Sequence, residues 1–400
     1  MWNESLYKIY FIDKSKFNNL YEKRFESENT YKFKFNVHNN PAFFFYHKDI
    51  SRMISNISFL DKKVTNILNV LPALAKTLYI KKSLIDEILY TNEIEGIIST
   101  RKEISEIIDT IKNNEKSKPN KIQSLINKYL MLMDNQHDVT INNCNDVRTL
   151  YDELVLDDII EYDPKDKPDG VIFRANSVQV LNEVSGKVMH EGVMPEAKII
   201  DMMSNIINFL NDESVEPVIR IAIFHYIFSY IHPFYDGNGR TNRYISSLYL
   251  KMTYNPIIAF RLSLTIKENK KQYYDAFDYT NSKYNKGDIT TFVYEFIDII
   301  LKAYEKTYDY LMIKQSELND ALNKLSHMEL TNQERNILWL LYQTEIFKGE
   351  KVNIKEISTF IEVSEPTTRK VLVSLLNKNL IKEEKQAKYK VYSLDKDLQQ

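Results

Sequence analysis

One cysteine in 400 residues, Cys144, leaves no partner for an intramolecular disulfide and no donor set for a multi-cysteine zinc site. That fits a reducing compartment, and the thiol itself reads as inert. Eight glycines and ten prolines are too few for long disordered linkers. No run of about 18 apolar residues occurs, and the opening MWNESLYKIYFIDKSKF lacks the continuous apolar core of a secretory leader. The expectation is a cytoplasmic protein with no membrane partner. Charge of neither sign dominates: 53 Lys and Arg stand against 55 Asp and Glu, a net charge of −2. Any contact with nucleic acid or an anionic membrane must therefore be local. What the chain does have is apolar and charged residues in ordinary globular proportion, 44% and 27%, and length enough for two or three domains.

Residues 1 to about 50 are aromatic-rich, and Tyr31, Phe33, Phe35 and Val37 alternate as in a short strand or an extended arm. From Ser51 to Tyr90, Ile54, Ile57, Leu60, Val64, Ile67, Leu68 and Leu71 recur at helical spacing, with a break at Pro72. This predicts two helices, the second running into Thr-Asn-Glu-Ile-Glu-Gly at 91–96. The polar stretch 112–121 ends a further helix, another starts over 121–134, and 135–145 reads as a loop. A short helix is expected near 147–154. The turn signals at 163–164 and 168–170 then introduce one or two short strands over 171–181, and a second strand over 187–194 completes a hairpin. From Ala197 to Lys314 the pattern is helical, interrupted at 212–216, 236–239 and 285–288. The last 70 residues read as helix (332–343), helix (354–361), turn, helix (366–377) and hairpin (380–394), the order of a winged helix.

The segment that carries chemistry is IHPFYDGNGRTNR, residues 231–243. Asp-Gly and Asn-Gly pairs ordinarily mark a β-turn, but both flanks are helical. Val218, Ile221, Ala222, His225 and Phe228 recur upstream, and Ile245, Leu248 and Met252 downstream. A glycine-rich loop opening a helix presents backbone N–H groups and the positive end of the helix dipole, which is an anion cradle. Gly237 and Gly239 permit close approach, and Arg240 and Arg243 share a helix face toward it. Asp236 offers a hard oxygen ligand for Mg²⁺ alongside substrate phosphates. His232, with an intrinsic pKa near ~6.5, can accept a proton at cellular pH.

These residues match the Fic (filamentation induced by cAMP) signature HPFx[D/E]GNGRxxR at every specified position. The resemblance implies a helical Fic core, with His232 deprotonating a target hydroxyl for attack on the α-phosphate of ATP. It further implies that Asp236 holds Mg²⁺, that Gly237, Asn238 and Gly239 line the anion hole, and that Arg240 and Arg243 contact the β- and γ-phosphates. Residues 91–96 are similar to the family's inhibitory pattern [S/T]xxxE[G/N], which would make Glu95 a brake acting on Arg243; a solvated acidic helix end is the plainer alternative. In some relatives the same glutamate supports removal of AMP. The hairpin over 183–195 is similar to the family's target-binding flap, implying roles for Val188, Met189 and His190, with His190 on the flap surface. Tyr274 and Asn281 occupy places where relatives enclose adenine and ribose, although Tyr273, Tyr274 and Phe277 also suit ordinary core. His225 reads as a packing histidine.

The expected architecture is mainly α: a Fic-type helical core with a small β-hairpin flap (147–314), an N-terminal helical region (1–146) and a C-terminal winged helix-turn-helix (331–400). Thr367, Thr368, Arg369 and Lys370, with Lys385, Lys388 and Lys390 on the wing, suit either DNA or protein docking, since cations barely outnumber carboxylates there. The resulting expectation is a protein adenylyltransferase using ATP and Mg²⁺ on a hydroxyl-bearing target protein. The rival readings are a DNA-binding regulator that senses nucleotide and a core transferring another phosphate-containing group. Homo-oligomerisation is open.

Overall fold

Pro72 and the paired glycines at 237 and 239 divide the longest apolar runs, and the helices fall on either side of them. A computed structural model describes residues 5–112, 122–133, 139–181, 188–386 and 389–395. Two short helices not expected from the sequence, α1 (Leu6–Ile12) and α2 (Lys14–Phe25), open the chain. The Asp13 carboxylate separates them by accepting from the N–H groups of Ser15 and Lys16, starting α2. The alternating aromatic segment is a strand, β1 (Thr30–Val37), paired antiparallel with β2 (Asn40–Phe45). Leu6, Ile9, Phe17 and Phe43 form their shared core.

Helices α3 (Lys48–Val70) and α4 (Ala73–Ile94) follow, split at Pro72 as expected, then α5 (Arg101–Lys112) and α6 (Gln123–Met133). The helix expected over 147–154 is longer. An Asn143/Asp146 capping box starts α7 (Cys144–Tyr151), which passes through one π-helical turn (Asp152–Leu156) into α8 (Asp157–Tyr162).

The strand expected from 171 begins only at β3 (Gln179–Leu181), which pairs with β4 (Val188–Glu191) in the register Gln179↔Glu191 and Val180↔His190. The hairpin tip and residue 187 lie outside the described residues. Residues 171–173 are irregular for a physical reason: their three successive N–H groups all donate to the Glu196 carboxylate, at 2.8–2.9 Å. Arg174, fully buried, then donates to the carbonyls of His232 (2.8 Å), Asn176 (2.6 Å) and Val193 (3.0 Å).

Glu196 also begins α9 (Glu196–Leu210), followed by α10 (Pro217–Ile231), α11 (Asn238–Thr253), α12 (Leu262–Glu268), α13 (Lys270–Thr280) and α14 (Thr290–Ser326). Twelve of the fifteen residues of α10 are buried, so it is the central rod, packed against α9 and α11. The α14 helix continues past Lys314, the expected end of the helical pattern, to Ser326. The buried pair Arg24–Asp288 (2.8 Å) ties α2 to the turn before α14, and Asp288 also accepts from the Thr290 N–H.

The chain ends in α15 (Asn332–Ile346), β5 (Val352–Asn353), α16 (Ile354–Phe360), α17 (Glu365–Asn377), β6 (Ile381–Gln386) and β7 (Tyr389–Leu394), with sheet order β5-β7-β6. Leu325, Leu338, Leu341, Ile357, Leu372, Leu375 and Tyr392 are buried together there. Two compact units result, Met1–Asp61 with Ser83–Glu305, and Lys62–Lys82 with Lys306–Gln400. The fold is mainly α with small sheets. Among the described residues no helix is long and apolar enough to cross a membrane.

One buried acid anchors α4. Glu87 is fully buried and accepts from the N–H of Ser263 (2.8 Å) and its hydroxyl (2.5 Å) at the start of α12. Burial outweighs these hydrogen bonds and the nearby Arg243 and Arg261, raising its carboxyl to about 7. A carboxyl raised on folding stabilises fully below its unfolded value and loses that contribution as pH rises through the folded one. The window here is roughly pH 4.5 to 7. Glu87→Gln, which keeps a neutral side chain at every pH, should match wild type near pH 4.5 and become more stable than it by pH 8. The difference should reach up to about 3 kcal/mol, read by urea unfolding across pH. A pH-independent difference would refute the assignment.

Candidate functional site

The turn from α10 to α11 is built by side chains standing in for backbone. His232 ends α10 in the left-handed region (φ 52°), with its N–H on the Phe228 carbonyl at 2.9 Å. A non-glycine residue there carries about 1–2 kcal/mol of strain, and the Arg174 bond to the His232 carbonyl helps hold it. Asn238 closes the loop by accepting from the Phe234 N–H (3.0 Å) and donating to the Phe234 carbonyl (2.8 Å). Gly237 sits at φ 75°, where a Cβ would lie 2.6 Å from Ile159 Cδ1, so glycine is required for both backbone and space. Phe234 stacks on Tyr151 at 3.6 Å between ring centroids. Tyr235, the variable position of the signature, donates to Asp169 at 2.7 Å.

No side chain caps α11, which leaves its N-terminal dipole directed at whatever occupies the loop. Asp236 is exposed, with one oxygen on the Gly237 N–H at 2.6 Å. Asn242 donates to the His225 carbonyl (2.7 Å) and the Ser229 hydroxyl (2.9 Å), fastening α11 to α10.

The half-buried His232 ring lies near His190 and Arg174. Burial first, then those two groups, lowers its imidazole to about 3, against a weaker opposing effect of the Ser229 carbonyl. That carbonyl favours a proton on the nitrogen facing it, which leaves the other nitrogen as an acceptor.

Both signature arginines are buried. Arg243 donates through Nε to the Thr91 hydroxyl (2.9 Å) and through Nη2 to the Thr91 carbonyl (2.9 Å) and to Glu95 Oε1 (2.7 Å). Burial opposes its charge most strongly, and Glu95 together with Tyr273 and Tyr274 more than offsets that, holding the guanidinium above its ordinary value. Arg240 donates from Nη1 to Asp158 at 3.0 Å. Glu95 also lies tight against Gly239, where a Cβ would come within 2.0 Å of Oε1.

The signature residues and Glu95 thus share one place. Of the other expected site residues, His190 borders His232 and Tyr274 lies near Arg243, but neither is placed as expected. His190 is not on the flap surface: it is buried, stacked on Tyr230 at 4.9 Å and hydrogen-bonded to the Tyr230 carbonyl at 2.9 Å. Burial lowers its imidazole to about 4. Asn281 is buried, its amide engaged by Tyr226 (2.8 Å) and His190 (3.4 Å). Tyr274 is buried edge-on to Tyr273. Val188 is half-exposed, and the Met189 side chain lies outside the described residues, as does Lys388. His225 is buried between Ser246 and Tyr273, a packing role as expected. Asp158, Arg174 and Glu196 were given no role by sequence reasoning, and Thr91 entered only as the first residue of the inhibitory pattern. Arg174, a lone charge in the apolar stretch VIFRA, was the one with a visible signal.

The Fic/DOC family model matches residues 143–250, which span α7 to α11 and contain the whole loop. This chain carries a Fic domain. Over 154 residues it is 29% identical to protein adenylyltransferase fic-1 of Caenorhabditis elegans, covering 38% of this chain and 28% of that protein. Over 193 residues it is 31% identical to protein adenylyltransferase Fic of Drosophila mojavensis, covering 47% and 34%. The chain therefore spans no more than about a third of these curated relatives. In fold it is similar to a Fic family protein from Desulfovibrio desulfuricans G20, with TM-score 0.54 and 18% identity, over 88% of this chain and 97% of that one.

The contact between the Fic domain and Glu95 can be tested by stability alone. A methyl group at residue 239 must push the Glu95 carboxylate off Arg243. Gly239→Ala should cost about 1.5–3 kcal/mol in wild type and little in a Glu95→Gly background. Chemical denaturation of the four proteins measures the coupling, and equal costs in both backgrounds would overturn it.

Proposed function

We propose that this protein is an adenylyltransferase that moves AMP from ATP onto a hydroxyl side chain of a target protein, and that Glu95 restrains it. The observation carrying the proposal is the intact loop: an acceptor imidazole, His232, at one end, and an uncapped helix N-terminus with two buried arginines at the other. In this reading Arg240 and Arg243 hold the β- and γ-phosphates and the first turn of α11 cradles the chain of phosphates. The α-phosphorus then faces the hydroxyl. His232 takes the hydroxyl proton as the oxygen bonds to phosphorus, and the bond to the β-phosphate oxygen breaks to release pyrophosphate.

Among the described residues no cluster of three or more His, Cys, Asp or Glu could cage a metal ion. A single exposed carboxylate, Asp236, fits Mg²⁺, which typically takes one or two carboxylates and completes its shell with water and phosphate oxygens. Bound there, the ion would neutralise phosphate charge. Restraint follows from competition: while Thr91 and Glu95 hold Nε and Nη2 of Arg243, those donors are closed to the γ-phosphate, and ATP cannot reach a reactive pose.

The winged-helix reading of the C-terminal elements rests on their order and on the sheet β5-β7-β6. The exposed face of α17 sets Arg369 and Lys370 beside Pro366 and Val373, a mixture of cationic and apolar groups suited to docking a protein target. Glu383 and Glu384 on β6 pair with Lys390 and Lys351, which leaves less free positive charge for a DNA backbone.

Glu95→Gly should raise AMP transfer, including self-modification, roughly ten- to hundredfold, the worth of one charge-assisted pair at about 1.5–3 kcal/mol. Unchanged transfer would remove Glu95 as the brake. In that background, label on the α-phosphate of ATP should enter protein and label on the γ-phosphate should not. His232→Ala should lower the rate on the order of 10² to 10⁴ with ATP binding retained. Entry of γ-label would identify a kinase instead.

A further inference from the structure

The two signature arginines are equally buried, but their donors are engaged differently. Arg243 makes three hydrogen bonds, all to Thr91 and Glu95. Arg240 makes one to a side chain, from Nη1 to Asp158 Oδ2, and its Nε is buried with no hydrogen-bond partner among the described residues. A guanidinium has five N–H donors. Arg240 is therefore held in place without being satisfied, the state expected of a group waiting for anionic oxygens.

The element that delivers Asp158 is shaped for the purpose. The π-helical turn at Asp152–Leu156 interrupts an otherwise continuous helix, and such turns shift the side chains beyond them relative to a plain α-helix. Tyr151, Val155 and Ile159 lie directly beneath Gly237, and Asp158 beside them reaches Arg240. Asp158 is only 12% exposed. Burial, the largest influence on it, pushes its carboxyl up to about 6 despite the adjacent Arg240. A pair kept against that desolvation contributes little to stability compared with an apolar contact, so its value lies in orientation.

We propose that Asp158 is a positioning residue for Arg240, fixing one end of the guanidinium so that the remaining donors meet the β-phosphate of the nucleotide. The proposal rests on the nucleotide reading given above. One charge-assisted hydrogen bond fixes the plane of the fork, which an isolated arginine on a flexible stem would not keep.

The test is calorimetric titration of the full-length protein with ADP and AMP, which differ by the β-phosphate and need no turnover. Asp158→Ala and Asp158→Glu, the second keeping charge but displacing it by a methylene, should each weaken ADP about tenfold and AMP less than about twofold. Asp158→Asn keeps an oxygen acceptor for Nη1 and should stay within about threefold of wild type for ADP, or bind it more tightly. Asp158→Glu carries the comparison if the alanine variant does not fold. Unchanged ADP affinity in the displaced variants, equal losses for AMP and ADP, or no rescue by asparagine would each overturn the positioning role. Arg240→Ala is the separate control: if it leaves ADP affinity at the wild-type value, the β-phosphate assignment itself fails, whatever Asp158 does.

Discussion

The Arg243 guanidinium, buried among hydroxyl, carbonyl and carboxylate oxygens of residues 91–95, is the interaction on which the rest of the site depends. A charge removed from water must be matched where it lies. Here the match comes from the end of one helix, α4, 148 residues away in sequence. The same helix is tied at Glu87 to Ser263, so its last two turns are held at both ends of a single stripe, Glu87, Thr91 and Glu95. Position and occupancy of Arg243 are therefore set by the same short segment, and anything that withdraws that segment frees the cation and leaves it without its counter-charge at once.

The geometry around His232 depends on a second buried cation. Arg174 binds carbonyls on both sides of the site, at the end of α10 and at the base of β4. A helix ending in the left-handed region leaves its last carbonyls without helical partners, and one planar guanidinium serves several of them together. With Glu196 gathering the N–H groups of 171–173, the irregular segment before the flap is pinned by two side chains, each bound to backbone.

Legibility in the sequence followed the distance between partners. The α10–α11 loop was readable because imidazole, carboxylate, glycines and arginines all lie within 231–243, and helical periodicity on both flanks excluded a β-turn. Glu95 was readable only through a short pattern, since nothing local says that it meets Arg243. Asp158, Arg174 and Glu196 were not readable: their partners lie 82, 58 and 24 residues away, and a lone charge among apolar residues does not name its counterpart. The π-helical turn was invisible because it alters periodicity over five residues only. His190 was misplaced because strand alternation gives a face but cannot show that Tyr230 covers it. The helices α1 and α2 were missed because α1 spans seven residues and buries only Leu6 and Ile9, too few to establish a period.

The Asn238 side chain, looped back on both backbone groups of Phe234, has a further meaning. A phosphate-binding turn that owes its shape to the ligand must be ordered each time the ligand arrives, and that entropy is subtracted from affinity. Here an amide supplies the cross-link permanently, as a rung that replaces a missing turn of helix. The loop's shape is thus a standing feature of the fold; under the proposed reaction it would be as ready for pyrophosphate as for ATP, so binding alone would not drive transfer forward and direction would come from the removal of what leaves.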